Sequence, residues 1–329
     1  MGILDLLFGR RKNIEAATPP ELPEKDPFED QFLTLSKPRW FGTCRRSPNS
    51  RWVISWREGG SVVSSDGAVS RSKGAYLLYE AATGRVALRG NLLRPMEGTV
   101  AENGTFALSE MGFSNALESV LHVFNADGER LLKRKLHALV LTTAISKNGR
   151  YAVCTTGNSG HEDGGSLFLF DLQTGTQLFA TPPSAGWSTN YYIDEDRIEV
   201  IARIKELGEF RYDQTGQFLD DVALEETILQ RGDYSRTIMA AERILLHSEP
   251  SIERVRQVLT AVQRARNNGA DMDNGWRAAA LKVQGLAHEA LGEAPQAIKV
   301  YEQALALNPK IGVKRRLTVD CCRFRGHRV

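Results

Sequence analysis

The chain has 329 residues, of which 42% are hydrophobic and 25% charged, with a formal net charge of +2 at neutral pH. This length predicts about two domains, and the composition is typical of a soluble globular protein. Because the net charge is close to zero, no global field would attract nucleic acid, and such binding would need a local patch. The four cysteines, Cys44, Cys154, Cys321 and Cys322, show no C-x-x-C spacing. This pattern favours a reduced, cytoplasmic protein.

Residues 1–12, MGILDLLFGRRK, are a short apolar run followed by three basic side chains. The run is too short for a secretory signal or a bilayer span, and Leu6 stands where a myristoylation pattern requires Ser or Thr. We interpret it as an amphipathic handle that frays, docks on the protein itself, or contacts a partner or a membrane surface peripherally. An acidic, proline-rich linker completes the N-terminal segment 1–37.

From about residue 38 the chain repeats one pattern four times. Each copy opens with a polar turn and an alternating apolar run: SPNSRWVIS from Ser47, AENGTFALS from Ala101, SKNGRYAVC from Ser146 and IDEDRIEVI from Ile193. Each copy closes around a glycine turn, and Gly84, Gly128, Gly175 and Gly216 lie 44, 47 and 41 residues apart. Alternation of period two between tight turns predicts antiparallel strands. A repeat of about 40 to 45 residues is typical of four-stranded propeller blades.

In the clearest copy the pattern predicts strands over Leu139–Ser146, Arg150–Thr155, Ser166–Leu172 and Thr176–Thr181. The repeats resemble those of the YVTN and WD40-like β-propeller families over about residues 38–222. This resemblance implies a small propeller-like domain of about four blades. Three arrangements are open: a ring closed by four blades, a ring clasped by a strand at Gln31–Leu35, and an open arc that pairs with another chain. The last would make the protein an oligomer.

The loops after the second strand of each copy and the links between copies are expected on one face of this domain. Loops on a rigid scaffold are where binding residues concentrate, so we select Phe113, His161 and Trp187 as candidate contacts for a protein partner. Packing of Trp187 between blades is the alternative. His161, Glu162 and Asp163 are interpreted as a mobile loop tip, because three consecutive residues cannot all reach one metal ion.

Beyond about residue 220 the apolar spacing changes to about 3.6, which predicts helices. The segment Trp276–Pro309 resembles a tetratricopeptide repeat. The matching positions are Leu281, Gly285, His288, Ala297, Tyr301, Ala304 and Pro309. The resemblance implies an α-helical solenoid over 223–318, built from three helical hairpins of which the first is Leu224–Pro250. Gly285 is expected to let two helices approach closely, with Tyr301 filling the gap.

Stacked repeats of this kind imply a concave groove lined by residues of each first helix. Lys282 and Glu289 are the candidate contacts there, and Lys282 is expected to be an exposed charge whose reversal changes stability by no more than about 0.5 kcal/mol. The family's clamp for chaperone C-termini is not expected, since Leu286 stands where it requires Asn. The final residues 319–329 form a basic tail, interpreted as a solvated end or a contact for an acidic partner.

The sequence contains no phosphate-binding P-loop, dinucleotide fingerprint, H-E-x-x-H motif or EF-hand loop, so we expect no catalytic residue, cofactor or metal. Two hypotheses remain. The first is a non-enzymatic scaffold that bridges protein partners through the propeller loop face and the helical groove. The second is an enzyme or small-ligand sensor with a site on that face or in the central channel. A deep pocket with converging polar groups would favour the second. We favour the first, by analogy of fold.

Overall fold

The structure, a computed structural model, describes residues 28–29, 31–63, 69–112, 117–188, 190–247 and 249–317. The N-terminal handle, the candidate Phe113 and the basic tail lie outside these described residues. Four main antiparallel sheets come first in the chain and helices follow, which confirms the predicted order of a β-rich region and a helical region. None of the helices in these ranges has the length and apolar character needed to span a bilayer.

The first sheet has six strands in the spatial order β1-β2-β3-β4-β7-β8, and β5 and β6 form a separate hairpin. Their bounds are Phe28–Glu29 (β1), Phe32–Leu35 (β2), Trp40–Arg46 (β3), Trp52–Arg57 (β4), Ser61–Val63 (β5), Val69–Arg71 (β6), Gly74–Glu80 (β7) and Arg85–Leu92 (β8). The second sheet has the order β12-β11-β10-β9. It contains Pro95–Val100 (β9), Phe106–Met111 (β10), Ser119–Phe124 (β11) and Arg130–Leu136 (β12).

The third sheet follows chain order and contains Val140–Ile145 (β13), Tyr151–Thr156 (β14), Leu167–Asp171 (β15) and Thr176–Thr181 (β16). All four strands predicted for this copy are confirmed within two residues. The first turn forms as expected, since the Ser146 hydroxyl accepts the Tyr151 N–H at 2.9 Å and Gly149 has φ of +76°. The fourth sheet has three strands, Asn190–Asp194 (β17), Glu199–Ile204 (β18) and Gly208–Tyr212 (β19).

Successive sheets pack face to face through apolar clusters. Between the first and second sheets, the rings of Tyr76, Phe106 and Phe124 lie 5.2 to 5.7 Å apart, centroid to centroid. Phe168 and Phe170 fill the next interface, and Phe210 and Tyr212 contribute to the one after that. Apolar side chains at alternate positions along the strands therefore form three layers of core between the four sheets.

The four sheets form an open series. The predicted clasping strand does form, as β2, but it pairs with β3 of the first sheet with Leu33 opposite Gly42. The prediction that it clasps a ring is wrong, because the short turn at residues 36–39 returns the chain at once into an antiparallel hairpin. At the other end, Phe218 bridges Tyr212 on the outer edge of β19. Of the three arrangements left open by the sequence, the unclosed series of sheets agrees with the open arc, and its pairing with another chain stays a prediction.

The helical region contains Asp221–Arg231 (α1), Tyr234–His247 (α2), Ile252–Asn267 (α3), a one-turn 3-10 helix Ala270–Met272, Asn274–Ala290 (α4) and Ala294–Leu307 (α5). The predicted N-cap is confirmed, as the Ser251 hydroxyl accepts the Arg254 N–H at 3.2 Å. Helix α2 contacts α3 and α4, and α4 contacts α3 and α5. The three predicted hairpins are not confirmed, since the helical region has five named α-helices among the described residues and three hairpins would need six.

Helix α1 belongs to two cores at once. Leu224 in its first turns is buried in the cluster between the third and fourth sheets. Leu229, one and a half turns later, is buried in the helical cluster with Ile238 and Val258. The junction is fixed by the Arg211 guanidinium, which donates to the Asp220 carboxylate at 2.8 and 3.0 Å. The helices are therefore attached to the last sheet through shared packing.

Candidate functional site: the Trp187 cleft

A cleft of about 350 Å³ lies where the link between the third and fourth sheets meets helices α1 and α2. We call it the Trp187 cleft. Its walls are the link residues 184–187 together with Leu207, Leu224, Ile228, Arg236, Met239, Ala240 and Arg243. One wall is therefore a loop held by β-sheet and the other is a pair of helices.

The link is fixed in place by bonds on both sides of Trp187. The Ala185 N–H donates to the Tyr212 hydroxyl at 2.7 Å, and the Ser188 hydroxyl donates to the Arg203 carbonyl at 2.7 Å. Burial raises the pKa of Tyr212 to about 12, so this phenol stays neutral at physiological pH. Trp187 between these anchors is 47% exposed. The alternative given above, that Trp187 packs between blades, does not agree with this exposure.

Met239 faces the cleft from α2 and is 56% exposed. Its neighbours Ile238 and Ala241 are buried on the opposite side of the helix, and this opposition leaves Met239 on the outer stripe. Arg243 lies one turn further along that stripe and forms an ion pair with Glu225 at 3.2 Å. Arg236, also on the rim, pairs with Asp233 at 3.5 Å. The cleft thus combines an apolar floor with two guanidinium groups on its edge.

His161 lies on the loop after β14, and its ring is 5.2 Å from that of His137 on the link between the second and third sheets. This contact agrees with the prediction that such loops and links share a face. The expected mobile tip is wrong at Asp163, which is buried and accepts the His137 N–H at 2.8 Å. Within the described residues no group of three metal-ligating side chains comes together.

Replacing Asp163 by alanine is expected to lower the free energy of unfolding by about 1 to 3 kcal/mol, because the buried Asp163 carboxylate no longer accepts the His137 N–H. Urea denaturation measures this. The exposed neighbour Glu162, changed to alanine, is the matched control and should shift the free energy by less than about 0.5 kcal/mol. Equal effects of the two substitutions would contradict a structural role for the Asp163 carboxylate.

The two groove candidates are bound within the protein. Lys282 on α4 lies 2.5 Å from the Glu242 carboxylate on α2 and is 23% exposed in its side chain. The expectation that Lys282 is an exposed surface charge is therefore wrong. Glu289 accepts the Tyr301 hydroxyl from α5 and the Arg316 guanidinium, both at 2.8 Å. Lys282 therefore links α4 to α2, and Glu289 links α4 to α5.

Sequence reasoning selected Trp187, which lines the cleft, and did not select Met239, Arg236 or Arg243. An exposed methionine on an amphipathic helix is a weak signal by itself. Only the packing of α1 on the last sheet brings α2 opposite the link, and no local pattern in the sequence encodes that contact. The cleft is a product of the junction between the two regions.

No family model and no curated protein sequence matches this chain. Among solved structures it is similar to the β-propeller domain of Cps50 (Swd1) from Myceliophteria thermophila, with 14% sequence identity and a TM-score of 0.33. The match covers 61% of this chain and 57% of the other, so it spans little more than half of that protein's length. A likeness at this level says nothing about what this chain binds.

Proposed function

We propose that the protein is a non-enzymatic interaction module that joins protein partners, and that a short segment of one partner binds in the Trp187 cleft. The observation that carries this proposal is the half-exposed Trp187 facing Met239 across a cleft edged by Arg236 and Arg243. Tryptophan, methionine and arginine are enriched at protein interfaces, and tryptophan and arginine dominate their energetic hot spots. Binding of a partner that covers exposed aromatic and thioether surface is favourable, because apolar area is removed from water.

The finer fold assignments are part of this proposal. We take the four sheets as consecutive propeller-like blades in an open arc, with residues 38–222 as one domain. Helices α2 to α5 would be two tetratricopeptide-like pairs within 223–318, since α4 packs against both members of the preceding pair. Cys44 and Cys154 are free and buried, which supports a reducing, cytoplasmic environment.

The chemistry of the cleft favours a segment with one large apolar side chain flanked by carboxylates. The apolar side chain would fill the space between Trp187 and Met239. Partner carboxylates would exchange with Glu225 and Asp233 for the rim guanidinium groups, and such solvent-exposed ion pairs contribute only about 0.2 to 1 kcal/mol each. Among the described residues that line the cleft there is no carboxylate, histidine or cysteine. Binding is therefore better supported than acid–base catalysis.

Peptides selected on the full chain from a random display library are expected to contain an apolar residue beside Asp or Glu. Trp187→Ala should weaken their Kd at least tenfold, which corresponds to about 1.4 kcal/mol, and the chain should stay folded because Ala185 and Ser188 anchor the link on both sides. Leu178→Ala, which also removes an exposed apolar side chain, is the matched control and should leave the Kd unchanged.

Selected peptides that bind the Trp187→Ala variant as tightly as the original chain would contradict the proposal. If His161→Ala weakened peptide binding instead, the peptides would bind on the loop face beside His137 and not in the Trp187 cleft. A small molecule that bound the cleft and was converted to product would favour the enzyme hypothesis.

A further inference from the structure

A second concavity, of about 270 Å³, lies on the first sheet and shares no residue with the Trp187 cleft. Its polar rim is formed by Arg39, Arg57 and Arg89. The buried ring of Trp40 forms part of its wall, and Ala75 and Tyr76 of β7 complete that wall. We call this concavity the arginine pocket.

The three arginines come from separate elements. Arg39 belongs to the turn between β2 and β3, Arg57 ends β4, and Arg89 lies within β8. The Arg57 guanidinium lies 4.9 Å from the centre of the Trp40 ring, an arrangement in which the ring orients the cation. Sheet pairing thus brings three positive groups to one opening.

These guanidinium groups have no carboxylate of the described residues within ion-pair distance, which distinguishes them from other arginines of the same sheet. Arg51 and Arg85 both pair with Glu80, at 2.9 and 3.7 Å. The residues lining the arginine pocket likewise include no Asp or Glu among those described. The pocket therefore has a concentrated positive charge that the surrounding sheet does not neutralise.

The two aromatic residues of the pocket contribute packing and not a further donor. The Tyr76 ring packs over Gly90 and against Phe106 and Phe124, in the core between the first and second sheets. The Trp40 indole N–H is already used, since it donates to the Ser55 hydroxyl at 2.8 Å.

We propose that the arginine pocket binds a phosphate monoester group. Guanidinium forks match the oxygens of a phosphate in pairs of hydrogen bonds. A phosphate monoester carries a charge of about −1.5 to −2 at neutral pH, which complements three cations better than a single carboxylate does. The phosphate oxygens would accept hydrogen bonds from the three guanidinium groups, for which the described sheet offers no carboxylate.

The test is calorimetric titration of the full chain with phenyl phosphate, inorganic phosphate and benzoate. Phenyl phosphate should bind at least tenfold more tightly than benzoate, and inorganic phosphate shows whether the phosphate alone is sufficient. The double variant Arg57→Gln, Arg89→Gln should weaken phenyl phosphate binding at least tenfold. Arg57→Lys, which keeps the charge and loses the fork, should give an intermediate loss.

The matched control is Arg197→Gln with Lys205→Gln, which removes the same charge from exposed positions outside the pocket. An unchanged affinity in the Arg57, Arg89 variant would overturn the proposal. An equal loss in the control pair would also overturn it, because binding would then follow diffuse charge. If the Arg57, Arg89 variant melted at a lower temperature, Arg39→Gln would decide, since it removes one cation of the pocket from the turn before β3 and leaves the strands unchanged. Unchanged binding in that variant and in Arg57→Lys would reject the site.

Discussion

Replacing Gly285 by leucine is expected to destabilise the α4–α5 pair by about 3 kcal/mol, the upper part of the range for overpacked cores. Gly285 faces the ring of Tyr301, and even a single added Cβ would lie 2.2 Å from its Cε1 atom. The ring cannot move aside easily, because Tyr301 is fully buried and its hydroxyl donates to Glu289 at 2.8 Å. Relief of the clash therefore requires the two helices to separate.

Urea denaturation followed by far-ultraviolet circular dichroism measures this loss. Gly160→Leu is the matched control, because nothing lies within 4 Å of a Cβ at that position, and it should change the free energy of unfolding by less than about 0.5 kcal/mol. Combining Gly285→Ala with Tyr301→Leu should cost less than the sum of the two single changes, since the smaller side chain removes the clash. A Gly285→Leu chain with the original midpoint would disprove close helix contact here.

The contact between Gly285 and Tyr301 could be predicted because it depends on one helical hairpin, close in sequence and marked by a small residue opposite a large one. The strands of the third sheet were predictable for a similar reason. Alternation from Tyr151 to Thr156 and the turns that flank it are local features, and local hydrogen bonds such as that of Ser146 enforce them.

The parts that could not be predicted depend on contacts between distant segments. The sequence suggested Gln31–Leu35 as a strand in one of three arrangements but not which edge it joins, because several edges offer the same backbone hydrogen bonds. Leu224 reads as an ordinary helix residue, although it packs in the core of the sheets. For the candidate site, Trp187 was selected from the sequence as a candidate partner contact. Met239 was not, since its position follows from how α1 docks on the last sheet.

Lys282→Glu is expected to lower the free energy of unfolding by about 2 kcal/mol, between the values typical of exposed and of buried ion pairs. The reason is the partner of Lys282. Its Nζ atom lies 2.5 Å from Glu242 Oε1 on α2, and about a quarter of each side chain is exposed. The substitution would bring two carboxylates together at the interface of α2 and α4, where water screens them only partly.

A charge swap separates this pair interaction from a general effect of charge. The double variant Lys282→Glu, Glu242→Lys restores opposite charges and should recover at least half of the lost stability. Lys299→Glu on α5 makes the same change at an exposed position and should alter the free energy by no more than about 0.5 kcal/mol. If Lys282→Glu and Lys299→Glu had equal effects, or if the swap failed to rescue, the ion pair would not join these helices. Lys282 would then be available to a partner, as its position in the repeat first suggested.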